Sequence, residues 1–251
     1  MNKNSNTYII TYSTVMVVVV AIVLAVAALS LQDRQVANEL NEKKSNILNS
    51  LGMDLSTDFD GAIEAYAVDG AGAAEKIEAS EAFNMLKSNK SLRESRAAGR
   101  YLLFLNKADG RVVIPIVGKG LWGDIWGYLA LENDMNTVSG IVLAHQGETP
   151  GLGAEIATPK HQALYKGKKL FSEGEFVSIT LRKGGAKDPE HEVDAITGGT
   201  KTSDGVTAML KECLESYVPY FKAATDAESV EVVESVEEAV AAETVEQSEN
   251  N

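Results

Sequence analysis

No charged residue lies between Lys3 and Asp33. Within that gap, residues 8–31 are dominated by Val, Ile, Ala and Leu, including the run Val17-Val18-Val19-Val20. At about 1.5 Å per residue, roughly 20 such residues cross the hydrocarbon core of a bilayer as a helix. Such a stretch has few soluble alternatives, so residues 8–31 are expected to form a transmembrane helix behind a short N-terminus, residues 1–7. A cleaved signal peptide is the competing reading, because Ala25-Val26-Ala27 fits a small-residue cleavage site. The amino-terminal region carries only Lys3, however, and the apolar run exceeds the usual length of a signal core. Charge does not settle the orientation: Lys3 favours a cytoplasmic start, but Arg34, Lys43 and Lys44 follow the span.

The charge of the 251-residue chain is unevenly placed. Nine of its acidic residues fall in residues 226–251, which contain no Lys or Arg; of the net −13, this leaves −4 for residues 1–225. An acidic chain is a poor partner for nucleic acid. The tail has no aromatic residues and too little apolar surface to offset the entropy of ordering, so residues 226–251 are expected to be disordered or partly helical. Cys213 is the only cysteine, which excludes an intrachain disulfide. Its amphipathic surroundings mark it as a packing residue.

Residues 32–51 contain neither Gly nor Pro and read as a juxtamembrane helix. Residues 52–225 read as one soluble domain. Within it, residues 58–68 suggest a turn and short strand, and residues 73–92 a helix. Strand-like runs at 101–106 and 112–117 flank the turn Ala108-Asp109-Gly110-Arg111, and a second hairpin, 127–132 with 137–144, surrounds Asn133-Asp134-Met135-Asn136. A short helix is expected at 159–165 and strands at 176–182 and 192–196. Residues 203–222 carry Val206, Met209, Leu210, Cys213, Leu214 and Tyr217 at helical spacing. The fold class is α+β, a mainly antiparallel sheet flanked by helices.

Two glycine-rich segments carry the chemistry. The first is Gly147-Glu148-Thr149-Pro150-Gly151-Leu152-Gly153, a loop whose backbone a ligand can approach. The second is Asp194-Ala195-Ile196-Thr197-Gly198-Gly199-Thr200-Lys201-Thr202-Ser203, which runs from a strand end to a helix start capped by Thr202 or Ser203. Each could be an ordinary connection, but the second packs hydroxyls around a helix N-terminus, where unpaired N–H groups suit a phosphate. Its spacing is wrong for a P-loop, so nucleotide hydrolysis is not supported.

The run Asp194 to Thr200 resembles the flavinylation motif of FMN-binding domains: Asp, two variable residues, Ser or Thr, Gly, a small residue, Thr. In that family a flavin transferase, using FAD and magnesium and releasing AMP, esterifies the last Thr with the FMN phosphate. The resemblance implies covalent FMN on Thr200. Gly199 stands where the family usually has Ala, a change that should keep the turn. The segment Glu148-Thr149-Pro150-Gly151-Leu152-Gly153 is similar to the family's other flavin loop. The resemblance therefore implies a cofactor site of Asp194, Thr197, Gly198, Gly199, Thr200 and Thr202 with Glu148, Thr149, Gly151, Leu152, Gly153 and Trp122. No catalytic and no metal residue is expected on this chain alone.

Residues 118–131, beginning Gly118-Lys119-Gly120-Leu121-Trp122-Gly123, and the run Ala163-Leu164-Tyr165-Lys166-Gly167-Lys168-Lys169-Leu170 resemble the C subunits of the Na+-translocating NADH:quinone oxidoreductases. The alternative is the G subunit of an Rnf-type electron transport complex, which shares both flavin loops but not the Trp122 segment. The first resemblance implies partners A, B, D, E and F, the flavin transferase during maturation, and a bacterial inner membrane with the soluble domain in the periplasm. A non-redox anchored binding domain is a third reading. Trp122 could pack a flavin ring or belong to the core; Glu148 could accept from the ring's imide or cap its loop. His145 reads as a loop histidine, and neither His161 nor His191 has partners at metal-ligand spacing.

Overall fold

The structure, a computed structural model, describes residues 6–226. Its contacts divide into two compact units, one ending at Lys44 and one beginning at Ser45. Helix α1 runs without interruption over Asn6–Ser50, so the expected span and juxtamembrane helix are one element. Its apolar window has a mean hydropathy of 2.9 and none of it is buried against protein. By length and composition it is the one helix among the described residues suited to crossing a membrane.

The second unit is built on one six-stranded antiparallel sheet. Its elements begin with α2 (Phe59–Ala62), β1 (Ile63–Val68), β2 (Ala74–Ile77), α3 (Ala79–Met85) and α4 (Asn89–Ala97). Strands β3 (Tyr101–Asn106), β4 (Val112–Lys119), β5 (Asp124–Leu131) and β6 (Val138–His145) then follow as a meander. The spatial order is β2-β1-β3-β4-β5-β6. Both faces are covered, which explains the near-continuous apolar runs of the central strands. In β4, Val112, Ile114 and Ile116 face one core, and Val113 and Val117 face the other. The second core contains Ile47, Leu48 and Leu51 from the start of the unit, and the aromatic group Phe59, Phe83 and Phe104, whose ring centres lie 5.8–6.2 Å apart.

Beyond β6 come a 3-10 turn (Gly153–Ala157), α5 (Pro159–Gln162), the hairpin β7 (Phe171–Ser172) with β8 (Glu175–Phe176), and β9 (Thr180–Arg182) paired in parallel with β10 (Glu192–Asp194). Helix α6 (Thr200–Glu215) lays Val206, Met209, Leu210, Cys213 and Leu214 on the first face of the sheet. Cys213 is buried, as its packing role requires.

Several stretches depart from the sequence reading. The strand expected over 176–182 is two short strands, β8 and β9, interrupted where Ser178 takes φ +63°. The helix expected over 73–92 is instead edge strand β2 followed by α3 and α4. Residues 74–77 are recruited by β1, where Lys76 Nζ meets Glu64 Oε1 diagonally across the strands at 2.8 Å, and Ser88 caps α4 by accepting from Ser91 N. The helix expected over 203–222 stops at Glu215 and resumes over residues 218–226. Pro219 causes the break: it has no N–H for the Glu215 carbonyl, and its ring would strike that carbonyl. The expected acidic tail lies, from residue 227 on, outside the described residues.

Candidate functional site

The two glycine-rich segments come together. The first leaves β6; the second leaves β10 and runs into α6. A third segment, the β4–β5 hairpin loop 120–123, joins them, and the Glu148 carboxylate sits where the three meet. Only 4% of Glu148 is exposed. Its Oε1 accepts from the Trp122 N–H at 3.0 Å, and its Oε2 accepts from the Thr202 hydroxyl at 2.6 Å. Its own N–H donates to His145 Nδ1 at 3.2 Å. Burial alone would raise the carboxyl pKa, but hydrogen bonds from Thr202, Trp122 N–H and Leu121 N–H prevail and hold it below the ordinary value. The group is therefore an anion at neutral pH.

Glycine is required where this carboxylate packs. A Cβ on Gly120 would collide with Oε1, and one on Gly153 would collide with Oε2 and the Thr202 hydroxyl. Gly198 has φ +75° and lies against Leu152, so the two loops also touch through apolar atoms.

The start of α6 differs from the capping expected. Gly199 is the N-cap and offers no side chain, while Thr200 is the first helical residue. Thr202 and Ser203 are inside the helix. The Ser203 hydroxyl accepts from Ile196 N at 3.0 Å and donates to the Gly199 carbonyl at 3.0 Å, tying the loop to the helix it precedes. The first N–H groups of α6 have no helical acceptor.

Thr202 thus differs from the other two threonines of the segment. Thr202 is 1% exposed and committed to Glu148. Thr197 and Thr200 are exposed, and no hydrogen bond of either hydroxyl is found among the described residues. Asp194, at the end of β10, is also exposed; its Oδ1 accepts from Ala186 N at 2.7 Å and fastens the β9–β10 loop. The Thr149 carbonyl accepts from Leu152 N and Ala154 N, closing a turn through Gly151 at φ +74°.

Trp122 is 68% exposed, so it is not a core tryptophan; Leu121 and Leu152 are also open, at 54% and 42%. Leu121 was not singled out by sequence, although its place beside Trp122 in the hairpin loop could have marked it. The other histidines are occupied elsewhere. His161 is buried, which lowers its pKa, and lies 3.1 Å from the Tyr165 hydroxyl; His191 Nδ1 is 2.8 Å from Asp188. No group of His, Cys, Asp and Glu suited to a metal occurs among the described residues. The assembly offers an anion-accepting helix end, a free hydroxyl and an apolar rim.

Comparison with known proteins gives a consistent result. The profile of the FMN-binding domain family matches residues 120–215. The chain is 35% identical over 216 residues to the C subunit of the Na+-translocating NADH-quinone reductase of Pasteurella multocida, covering 76% of this chain and 83% of the relative. It is 32% identical over 224 residues to the C subunit of the Neisseria meningitidis enzyme, covering 80% and 87%. Among solved structures it is similar to the C subunit from Parabacteroides distasonis, with a TM-score of 0.67, 36% identity and coverage of 76% of this chain and 96% of that one. It is also similar to Shewanella oneidensis NqrC, with a TM-score of 0.60, 27% identity and coverage of 74% and 99%.

Proposed function

The chain belongs to the family of C subunits of Na+-translocating NADH-quinone reductases, and on that premise we propose that it is the flavin-carrying electron-transfer subunit of such a membrane complex, with FMN esterified through its phosphate to the Thr200 hydroxyl. The alternative, an Rnf-type G subunit, is not favoured by these relatives.

One observation carries the assignment to Thr200: its hydroxyl is exposed and unengaged at the first residue of α6, whereas Thr202 is buried and bound to Glu148. Thr197 is exposed too, but precedes the helix. A phosphate on Thr200 would lie within reach of the open N–H groups of the first turn and at the positive end of the helix dipole. Leu121, Trp122 and Leu152 form an exposed apolar rim on the adjoining loops and would pack a planar ring and exclude water from it. The N–H groups of Gly151 and Gly153, on either side of the Leu152 N–H that donates to Thr149, would be available to the ring's polar edge. Asp194 would act by holding the β9–β10 loop, through Ala186. When bound, FMN supplies the redox chemistry; the protein supplies fixed attachment and orientation.

The remaining assignments follow from membership of such a complex: partners matching its A, B, D, E and F subunits, a flavin transferase in maturation, and residues 8–31 anchored in a bacterial inner membrane. Residues 1–7 would be cytoplasmic and residues 52–225 periplasmic. Two experiments test the proposal. Thr200→Ala should abolish flavin fluorescence of the denatured protein on a gel, while Thr197→Ala retains it; fluorescence persisting in Thr200→Ala disproves the site. A reporter fused after Thr225 should be active only if it functions in the periplasm, and activity of a cytoplasm-only reporter there disproves the topology.

A further inference from the structure

Thr202 and the Leu121–Trp122 loop are far apart in the chain, yet both are held by the same buried carboxylate. Glu148 reaches Trp122 N across 26 residues and Thr202 Oγ1 across 54. Its two oxygens thus tie a hairpin loop of the sheet to the third residue of α6. Loop 120–123 has few other anchors. Gly120 N donates to Gly123 O at 2.8 Å inside the loop, and Leu121 and Trp122 are turned to solvent. A Cβ on Gly120 or Gly153 would strike the carboxylate oxygens, so these two glycines leave the space that the Glu148 carboxylate fills. The partners are donors only: a hydroxyl and backbone N–H groups, all satisfied by an acceptor with two oxygens.

We propose that Glu148 is a positioning residue, an anionic clasp that sets the Leu121–Trp122 loop against the first turn of α6 before any flavin is attached. Glu148, buried with both oxygens engaged by protein donors, is then turned to the protein and not to the flavin imide. The loop is preorganised, so binding the ring does not have to order Trp122. The use of that loop for a flavin rests on the function proposed above; the clasp does not.

The test is hydrogen–deuterium exchange on the full-length chain in its membrane or in detergent, made without the flavin transferase. Peptides covering residues 120–123 and the start of α6 are followed. Losing a hydrogen bond to a charged group should speed local exchange by roughly tenfold or more. Glu148→Gln, which replaces one acceptor oxygen by a donor, should speed exchange in residues 120–123. Thr202→Val, which keeps the shape but not the hydroxyl, should do the same, because a carboxylate released on one side holds the other less firmly. Thr202→Ser should restore the slow rate. The double variant Glu148→Gln/Thr202→Val should be no faster than Glu148→Gln alone, since both remove one interaction. The proposal is overturned if residues 120–123 exchange at the wild-type rate in Glu148→Gln, if Thr202→Ser fails to rescue, or if exchange rises equally throughout the sheet. Flavin content of the wild type, grown with the transferase, is a separate readout. Its absence would remove the flavin reading and leave the clasp standing.

Discussion

Tyr217 donates a 2.6 Å hydrogen bond from its buried hydroxyl to the carbonyl of Leu102, 115 residues earlier in the chain. The bond joins the turn after α6 to the second residue of β3. Arg96 of α4 lies over the Tyr101 and Tyr217 rings, 5.5 and 5.9 Å from their centres, and also donates to the Glu212 and Cys213 carbonyls. The end of α6 is thereby fastened from both sides. Burial raises the Tyr217 pKa, so its proton stays available for the bond across the physiological range.

Tyr217→Phe keeps the ring but leaves the Leu102 carbonyl without this donor. The expected cost is about 1–3 kcal/mol, the penalty for an unsatisfied buried acceptor. Chemical denaturation should show a lower midpoint with an unchanged slope. A variant as stable as the wild type would mean that the bond contributes nothing.

The central part of this architecture is legible in sequence because sheet burial and turn chemistry agree there. Strands β3 to β5 are apolar on both faces, β6 adds Val138, Ile141 and Leu143 to the first core, and the turns carry Asp109-Gly110 and Asn133-Asp134. Residues 74–77 are not legible. Ala-Glu-Lys-Ile has no strand alternation of its own, and only the edge of β1 makes it extended. The start of α6 is obscured by an excess of capping residues: Thr200, Thr202 and Ser203 are all good caps, and the cap is Gly199. At the site, the glycine loops are visible as loops. Which hydroxyl is free and which is committed is not, because Thr202 is decided by Glu148, distant in sequence.

Close approach makes a second prediction. A Cβ on Gly205 would collide with the backbone carbonyl of Lys119, with no flexible side chain to move aside. Gly205→Ala should therefore push α6 off the β4 end and disturb loop 120–123, at a cost typical of overpacking, about 1–3 kcal/mol. Gly147→Ala meets open space and should be near neutral. Comparing the two thermal midpoints checks the claim; equal midpoints would show that the α6–β4 contact is loose.

The lowered pKa of Glu148 gives a signed pH dependence. A carboxyl whose folded pKa lies below its unfolded value, about 4.3, contributes its full stability above the unfolded value. That stability is lost as pH falls through the lower folded value. Burial opposes this shift, and the donors Thr202, Trp122 N–H and Leu121 N–H produce it. The stability gap between wild type and Glu148→Gln should be constant from pH 7 to about 5 and shrink only below about 4.3. A gap that grows as pH falls would contradict an ionised clasp.

The last prediction concerns where the folded unit ends. Phe221 is 1% exposed; it stacks on Tyr217 with centres 6.0 Å apart and meets Phe171 edge-on at 6.3 Å. The Thr225 hydroxyl donates only to the Phe221 carbonyl within the same helical turn, at 2.9 Å. Residues up to 221 thus belong to the core, and the segment after Thr225 adds acidic residues without Lys or Arg. Truncation after Thr225 should leave flavin content unchanged and move the thermal midpoint by no more than about 2 °C. Truncation after Tyr217 removes Phe221, and losing a buried Phe costs about 3–5 kcal/mol. In a domain of this size each kcal/mol is worth roughly 2–4 °C, so the midpoint should fall by about 6–20 °C. Differential scanning calorimetry of the two truncations decides it: a large fall in the longer one would place the end of the folded unit beyond Thr225.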